Sequence, residues 1–342
     1  MIGTDHWIYR WTGSGWDGGA GGAGTAITVG PSGQVFVLGR GPTSATDTGP
    51  RRRIGIVEVG YARSMHDASV AAALRATLPT ATSADAAHAA AFAGAAELLL
   101  AEATLWIAGA AHRLTEIEFY WTSEAHPDPF THGDPMQREF GRWYFHRQGG
   151  SYRGGTFKGL DVAVGGEGVT AGILIRGIAE VGGARVDGSC MVVEHILART
   201  GMASVAALAG SFGGAIDAAA GEGSPLWLGL GAASEPRPAI VRSARVGLTL
   251  KKGADPLRCR YLGRHYRFLD DPRAIAKGRS YVVVALHQQG RGVAEIAAIT
   301  GASASQVAKT IEAFEGGRGR DPAEFRGELS ASELSALLGA LG

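Results

Sequence analysis

The chain has 342 residues, of which 45% are hydrophobic, 19% are charged and 53 are glycine; this allows one large core or two smaller ones and excludes a wholly disordered protein. Lys and Arg (33) balance Asp and Glu (32), for a net charge of +1, so the total charge favours no class of partner, although charges can segregate locally. Cys190 and Cys259 are too few for a disulfide scaffold or a four-thiolate zinc site, no apolar run is long enough to span a membrane, and the first residues lack a signal pattern.

Residues 1–50 predict a small β-meander. Thr25–Val29 and Gln34–Leu38 read as strands on either side of a turn at Gly30–Gly33. The segment IYRWTGSGW followed by AITVGPSGQVFVLG resembles one repeat of the tectonin-type propellers. A single repeat cannot close a propeller, because each blade buries its faces against its neighbours. The segment is therefore either an appended hairpin or a blade that binds a sugar or a partner.

Residues 51–79 predict a linker with an extra strand at Ile54–Val59 and a helix. The alanine-rich stretch Thr80–Ala103 predicts a helix that faces the core. Thr104–Ile107 and Arg113–Tyr120 then read as two strands, and an irregular stretch rich in His, Pro and Asp follows. Functional residues often lie where strands exit into such loops.

The middle of the chain predicts further strands and one helix, at about 189–200. The strands are expected at Trp143–His146, Leu160–Val164, Gly172–Arg176, Arg245–Leu250 and Leu257–Leu262. We expect an α+β fold with a mixed, largely antiparallel and barrel-like sheet in a domain at 80–282, followed by a helical tail at 283–342.

Five segments occur in the same order as in the alkyladenine (3-methyladenine) DNA glycosylases, which the chain resembles over roughly residues 88–270. They are Thr115–Tyr120, a loop with histidines, Gly172–Arg176, Arg245–Leu248 and Pro256–Arg258. The resemblance implies a DNA repair enzyme that flips an alkylated purine, such as 3-methyladenine or 7-methylguanine, out of the duplex and hydrolyses its N-glycosidic bond without metal or organic cofactor. It also implies double-stranded DNA as the partner, no membrane, no obligate protein partner and a monomer. The expected location is the cytoplasm, on the nucleoid, or the nucleus in a eukaryote.

The resemblance assigns the catalytic roles to Glu118, which would activate the attacking water, and to Arg176, which would help to hold that water. A carboxylate near the sugar can both stabilise the oxocarbenium-like transition state and take a proton, and a neighbouring arginine favours its charged form. Tyr120 corresponds to the family's base-stacking tyrosine, and it shares one side of the strand with Glu118.

The resemblance also assigns three further residues to the base pocket. His132 is the best match for the loop histidine that contacts the base, with His126 as a competitor, and Val246 falls at an apolar pocket position. Asp161 stands where the family has an asparagine that screens against guanine. Since a carboxylate only accepts hydrogen bonds, we expect Asp161 to tolerate N7- or N3-alkylated purines.

Two basic stretches are candidates for contact with DNA phosphates. Residues 242–279 contain eleven Lys or Arg and three Asp, and residues 138–158 contain five Lys or Arg and one Glu. The hairpin around residue 150 offers Tyr152 or Phe157 as a wedge into the duplex. The phosphate-contacting candidates are Arg153, Lys158, Lys251 and Arg258.

Glu295–Ile311 resembles a helix-turn-helix, with small Ala297, Gly301 at the turn, and apolar Val307 and Ile311 on the second helix. It is either a weak, non-specific DNA anchor or a structural helix pair. Ser330–Glu333 predicts a capping box that opens a last helix.

Two other functions stay open at this point. One is a DNA-binding module with a glycosylase-like fold and no catalysis. The other is a metal-dependent hydrolase in which His126, Asp128 and His132 hold a divalent cation.

Overall fold

A computed structural model of the protein divides into two units, residues 1–67 and 68–342. It describes residues 69–217, 223–231 and 239–342, and in the first unit the backbone of five strands. These strands are β1 (Arg10–Trp11), β2 (Trp16–Asp17), β3 (Gly24–Val29), β4 (Val35–Arg40) and β5 (Ile54–Val59).

The first unit contains a β-meander. β3, β4 and β5 form a three-stranded antiparallel sheet in that order, and β1 pairs with β2. β3 and β4 lie where the alternating sequence predicts strands. β5, expected within the linker segment, is the third strand of this sheet. The turn at Gly30–Gly33 lies outside the described residues.

The second unit is an α+β structure built on a large antiparallel sheet. Its strand order is β14-β6-β7-β12-β11-β8, with β13 on β12, β16 on β7 and β15 on β16. Every pairing in this sheet is antiparallel. Within the described residues the sheet does not close, so the barrel-like expectation is replaced by an open sheet. The strands, with the hairpin β9–β10, are β6 (Ala103–Ile107), β7 (Ala110–Thr122), β8 (Arg142–Phe145), β9 (Arg147–Gln148), β10 (Ser151–Tyr152), β11 (Leu160–Ala163), β12 (Thr170–Glu180), β13 (Arg185–Asp187), β14 (Leu226–Leu230), β15 (Val241–Ser243) and β16 (Arg267–Leu269).

Helices pack on the sheet and form the C-terminal part of the chain. The described α-helices are α1 (Val70–Thr77), α2 (Asp85–Glu97), α3 (Ser189–Thr200), α4 (Val205–Gly210), α5 (Pro256–Leu262), α6 (Arg279–Gln288), α7 (Val293–Thr300), α8 (Ala304–Gly317) and α9 (Ala331–Ala340). A π-helical turn, Leu98–Glu102, continues α2, and short 3-10 turns occur at Pro135–Arg138, Gly155–Phe157 and Pro322–Phe325. Among the described helices, none combines the length and the apolar composition that a bilayer crossing needs.

Strand alternation puts the main core on one face of the sheet. Ile117 and Phe119 of β7 are buried in this core, beside Ile173 of β12. The ring of Phe92 from α2 stacks on Phe119 with a centroid separation of 4.6 Å. The opposite face of the same strands carries polar side chains, because residues at even and odd positions of a strand point to opposite sides.

Two predicted strands are wrong. Leu257–Leu262 lies in α5, because the side chain of Asp255 accepts hydrogen bonds from the first turn and Pro256 occupies a position where a helix needs no N–H donor. Residues 245–250 form a turn, in which Gly247 has a φ of +83°. The strand expected there ends earlier, at Ser243 of β15.

The C-terminal helices follow the predicted pattern. α7 ends at Gly301, whose φ is +67°, and α8 begins with a capping box between Ser303 and Gln306. Ile296 and Val307 are buried in one small hydrophobic cluster between the helices. α8 and α9 cross so closely that their glycines are required. A Cβ on Gly317 would lie 1.9 Å from the carbonyl oxygen of Ala336, and one on Gly339 would lie 1.9 Å from that of Phe314.

Candidate active site

A row of side chains crosses five strands on the polar face of the sheet. The register pairs Arg267 with Glu118, Glu118 with Leu174, Leu174 with Asp161, and Asp161 with Tyr144. Residues opposite one another in neighbouring strands project to the same face. The sheet therefore brings together side chains that lie more than 120 residues apart in the chain.

Glu118 is fully buried, and both of its carboxylate oxygens have partners. The backbone N–H of Val246 donates to Oε1 at 2.8 Å, and the hydroxyl of Tyr120 donates to Oε2 at 2.8 Å. Nε of Arg176 lies 3.3 Å from Oε1. Three residues that the resemblance assigned to the site thus converge on the carboxylate of a fourth, Glu118.

Arg176 reaches this carboxylate because β12 contains an extra residue. Ile175 pairs with Ile117 and Gly177 pairs with Glu116, so Arg176 has no opposite residue in β7 and forms a β-bulge. A bulge turns a side chain away from simple alternation. The described residues provide no acceptor for either Nη atom of Arg176, whose Nε is engaged by carboxylates.

A second buried glutamate shares Arg176. Oε1 of Glu116 accepts from Nε of Arg176 at 2.7 Å and from Nε of Arg267 at 2.8 Å. Burial acts to raise the pKa of Glu116, but Arg267 and Arg176 outweigh it and hold the pKa below its ordinary value. Burial acts to lower the pKa of Arg176, and Glu118 and Glu116 together raise it. Both shifts favour the charged forms of Glu116 and Arg176.

Arg245 supports the other side of the site. Its guanidinium lies 4.6 Å from the centre of the Tyr120 ring, and it donates to Asp128 Oδ2 at 2.6 Å. It also donates to the carbonyls of Phe119 and Tyr261 at 3.0 and 3.1 Å. Burial, followed by the charge of Glu118, raises the pKa of Tyr120 well above its ordinary value. The phenol stays protonated and can donate to Glu118.

Asp161 and His132, both expected to contact a base, belong to a neighbouring cluster centred on His146. Nε2 of His146 lies 2.8 Å from Asp161 Oδ1, and the amide of Gln137 donates to Oδ2 at 3.3 Å. His132 is exposed, and its ring centre lies 4.3 Å from that of His146. Each oxygen of Asp161 thus already has one partner within the protein.

The other residues predicted to contact DNA differ in their exposure and in their partners within the protein. Phe157 is 69% exposed, whereas Tyr152 is half-buried and packs on the core. Arg153 donates its backbone N–H to the carbonyl of His146. Lys158 is paired with Glu194 and Lys251 with Glu328. Arg258 lies over the ring of Phe130 and 3.4 Å from Asp255.

The histidine and aspartate residues of the loop after β7 do not converge. His126 is buried, its Nδ1 lies 2.6 Å from Asp85 Oδ1, and its ring stacks on that of His88. Asp128 is bound to Arg245, and His132 lies in the His146 cluster. In the described part of the chain, no group of three or more His, Cys, Asp or Glu is arranged to hold a metal ion.

Three residues that shape the site were not singled out from the sequence. Glu116 could have been found, because it lies two positions before Glu118 and must face the same side of the strand. Arg267 and His146 carried no such signal, since only the strand register brings them to this face. Arg245 and Arg267 are both fully buried, so the basic stretch at 242–279 is not entirely a surface stripe.

Comparison with known proteins leaves the function open. No family model matches the chain. A stretch of 104 residues is 36% identical to the uncharacterized protein L759 of Acanthamoeba polyphaga mimivirus, a match that covers 26% of this chain and 48% of that protein. The chain thus matches about half the length of this relative, whose name states no activity.

Proposed function

We propose that the protein is a DNA glycosylase that excises alkylated purines, with Glu118 as the general base. The observation that carries the proposal is the convergence of Tyr120, Arg176 and the backbone of Val246 on the carboxylate of Glu118. These residues come from β7, from the bulge of β12 and from the turn after β15. The same residues are those that resemble the glycosylase site in sequence.

In the proposed reaction the N-glycosidic bond breaks, a bond to the oxygen of water forms, and one proton is transferred. A purine alkylated at N3 or N7 carries a positive charge, so it leaves the sugar as a neutral base when the N-glycosidic bond breaks. Water adds to the anomeric carbon and gives its proton to the carboxylate of Glu118, which lies 3.3 Å from Nε of Arg176. The Nη atoms of Arg176 have no acceptor among the described residues, so they are free to hold the water or a nearby phosphate oxygen.

Access to Glu118 requires a local movement. The carboxylate has no exposed surface, and the ring of Tyr120 and the turn at Val246 flank it. Gly247 in that turn has a φ of +83° and no neighbour within 4 Å of a Cβ position, so the turn has space on its outer side. Catalytic hydrogen bonds often form fully only once the substrate is bound.

The complete burial of Glu118 favours a second candidate function, a DNA-binding module with the same fold and no catalytic activity. Both oxygens of Glu118 are engaged and the side chain is fully buried, as in a purely structural ion pair. In that case the carboxylate would stabilise the sheet, and the surface would bind DNA without base release.

Base release from methylated duplex DNA distinguishes the two candidates. Wild type, Glu118→Gln and the control Glu97→Gln, which changes an exposed glutamate of α2, are compared at one salt concentration, because DNA affinity depends strongly on salt. We expect release by wild type and the control, and a loss of about 10² to 10⁴ in rate for Glu118→Gln with DNA affinity retained. Binding without release by wild type would instead establish the module.

A further inference from the structure

Glu118, Arg176, Glu116 and Arg267 form a buried, alternating chain of charges. Arg176 contacts both carboxylates, at 3.3 Å and 2.7 Å, and Glu116 contacts both guanidinium groups, at 2.7 Å and 2.8 Å. Arg267 is fully buried and Glu116 is 3% exposed. The cluster contains two guanidinium groups and two carboxyl groups, so its formal charges cancel as long as each member is present.

Arg267 also fixes the segment that opens α6. Its Nη1 donates to the carbonyl of Gly278 at 3.0 Å, and its Nη2 donates to that of Lys277 at 3.1 Å. A Cβ on Gly278 would lie 2.7 Å from Nη1 of Arg267 and 2.5 Å from Cγ2 of Val246. Gly278 therefore lies close both to Arg267 and to Val246, whose N–H binds Glu118.

We propose that Glu116 and Arg267 are positioning residues of this site, which hold Arg176 on Glu118 and tie that contact to the start of α6. This inference rests on the proposed function, in which Glu118 must be ionised. The negative charge of Glu116 offsets part of the positive charge of Arg176, and the positive charge of Arg267 offsets that of Glu116. Without Arg267, two carboxylates would compete for one guanidinium, and a proton would bind to the pair more readily.

Several charged or titratable groups surround Glu118. Glu116 and Tyr120 come from β7, Arg176 comes from β12 and Arg267 from β16. Arg245 follows β15 over the ring of Tyr120. Burial and, less strongly, the charge of Glu118 act to raise the pKa of Tyr281 of α6. Arg267 makes no direct contact with Glu118, so its removal leaves every direct contact of Glu118 in place.

Charge-balanced variants test the positioning role. Arg267→Met removes the cation, and Glu116→Gln/Arg267→Met restores a neutral cluster of Arg176 and Glu118. We expect the acid limb of base release to move up by about one to two pH units in Arg267→Met and to return in the double variant. A shift of one unit would lower release at a pH below that limb about tenfold. Arg291→Met, at an exposed position before α7, is the control and should keep the wild-type profile.

A second readout does not depend on activity. Carbon-13 NMR of the glutamate carboxyl carbons, assigned with Glu118→Gln and Glu116→Gln, gives the titration of the pair directly. We expect an upward shift of the pair in Arg267→Met and its reversal in the double variant. An unshifted titration in folded Arg267→Met would overturn the positioning role, as would a loss of release equal at all pH values. If Arg267→Met does not fold, the double variant still tests the proposal. We expect the double variant to fold and to show one carboxyl group of the pair, that of Glu118, titrating at low pH.

The two hypotheses fail in different ways. If wild type releases no base, the proposed function falls, while the NMR titration still decides the role of Arg267. If release depends on Glu118 but neither the pH profile nor the titration responds to Arg267, only the positioning role falls.

Discussion

Arg245 is a fully buried charge whose removal should cost much of the protein's stability. In Arg245→Met the aliphatic volume is retained, but Asp128 loses a partner at 2.6 Å and the carbonyls of Phe119 and Tyr261 lose their donor. Breaking a fully buried ion pair by removing one partner costs about 3–5 kcal/mol. Each carbonyl left unpaired adds about 1–3 kcal/mol unless water reaches it. We therefore expect a loss of at least about 4 kcal/mol in the free energy of unfolding.

Urea unfolding of four proteins measures this loss. Wild type, Arg245→Met, Asp128→Asn and the double variant form a cycle, in which we expect a coupling of at least about 2 kcal/mol because the neutral amide no longer leaves a buried charge unpaired. The exposed pair Arg291 and Glu295 provides a control, since Arg291→Met should change stability by less than about 1 kcal/mol. A loss below about 1 kcal/mol for Arg245→Met, or additive effects in the cycle, would refute this account of the pair.

Three further predictions concern stability. Gly317→Ala should cost about 3 kcal/mol or more in urea unfolding, because its Cβ would meet backbone 1.9 Å away, whereas the adjacent Gly316→Ala, with open space, should be neutral or stabilising; equal effects would contradict the close crossing of α8 and α9. Gly278→Ala should lose more stability than Gly290→Ala, since both have φ near +80° but only the former meets neighbours under 3 Å; equal losses would leave only the strain of a positive φ. Burial lowers the pKa of His112 to about 4, so between about pH 6.5 and 4 the unfolded chain binds more protons and stability falls with falling pH, by about 2 kcal/mol from pH 6.5 to 5 for this residue. In His112→Gln the pH slope of unfolding should be lower by about one proton, and an unchanged slope would show that His112 is not buried in its neutral form.

Local sequence patterns were sufficient to predict most of the helices and strands. The helix at 189–200 was expected with the bounds that the structure gives. Strands at Thr104–Ile107 and Arg113–Tyr120 were also expected, and the structure has β6 and β7 there, separated by the turn at Ala108 and Gly109. These elements are set by nearby residues, so periodicity, turn residues and caps identify them.

The features that local patterns did not predict have a different physical origin. Leu257–Leu262 has the apolar spacing of a strand, and only the preceding Asp255 and Pro256 make it a helix. The engagement of Asp161 by His146 and Gln137 depends on how β8 and β11 pair, which no local pattern encodes. Arg176 was expected on an adjacent strand, yet its aim at two carboxylates depends on the extra residue in β12, a property of the register between two strands.

Because Glu118 is completely buried, its reaction with a soluble reagent would measure how often the site opens. A carboxylate without exposed surface cannot react with a water-soluble carbodiimide, whereas Glu97 on the exposed side of α2 can. Labelling of Glu118 would therefore report how often the turn at Val246 and the ring of Tyr120 move apart. Comparing its labelling rate with and without duplex DNA would show whether DNA changes how often the site opens.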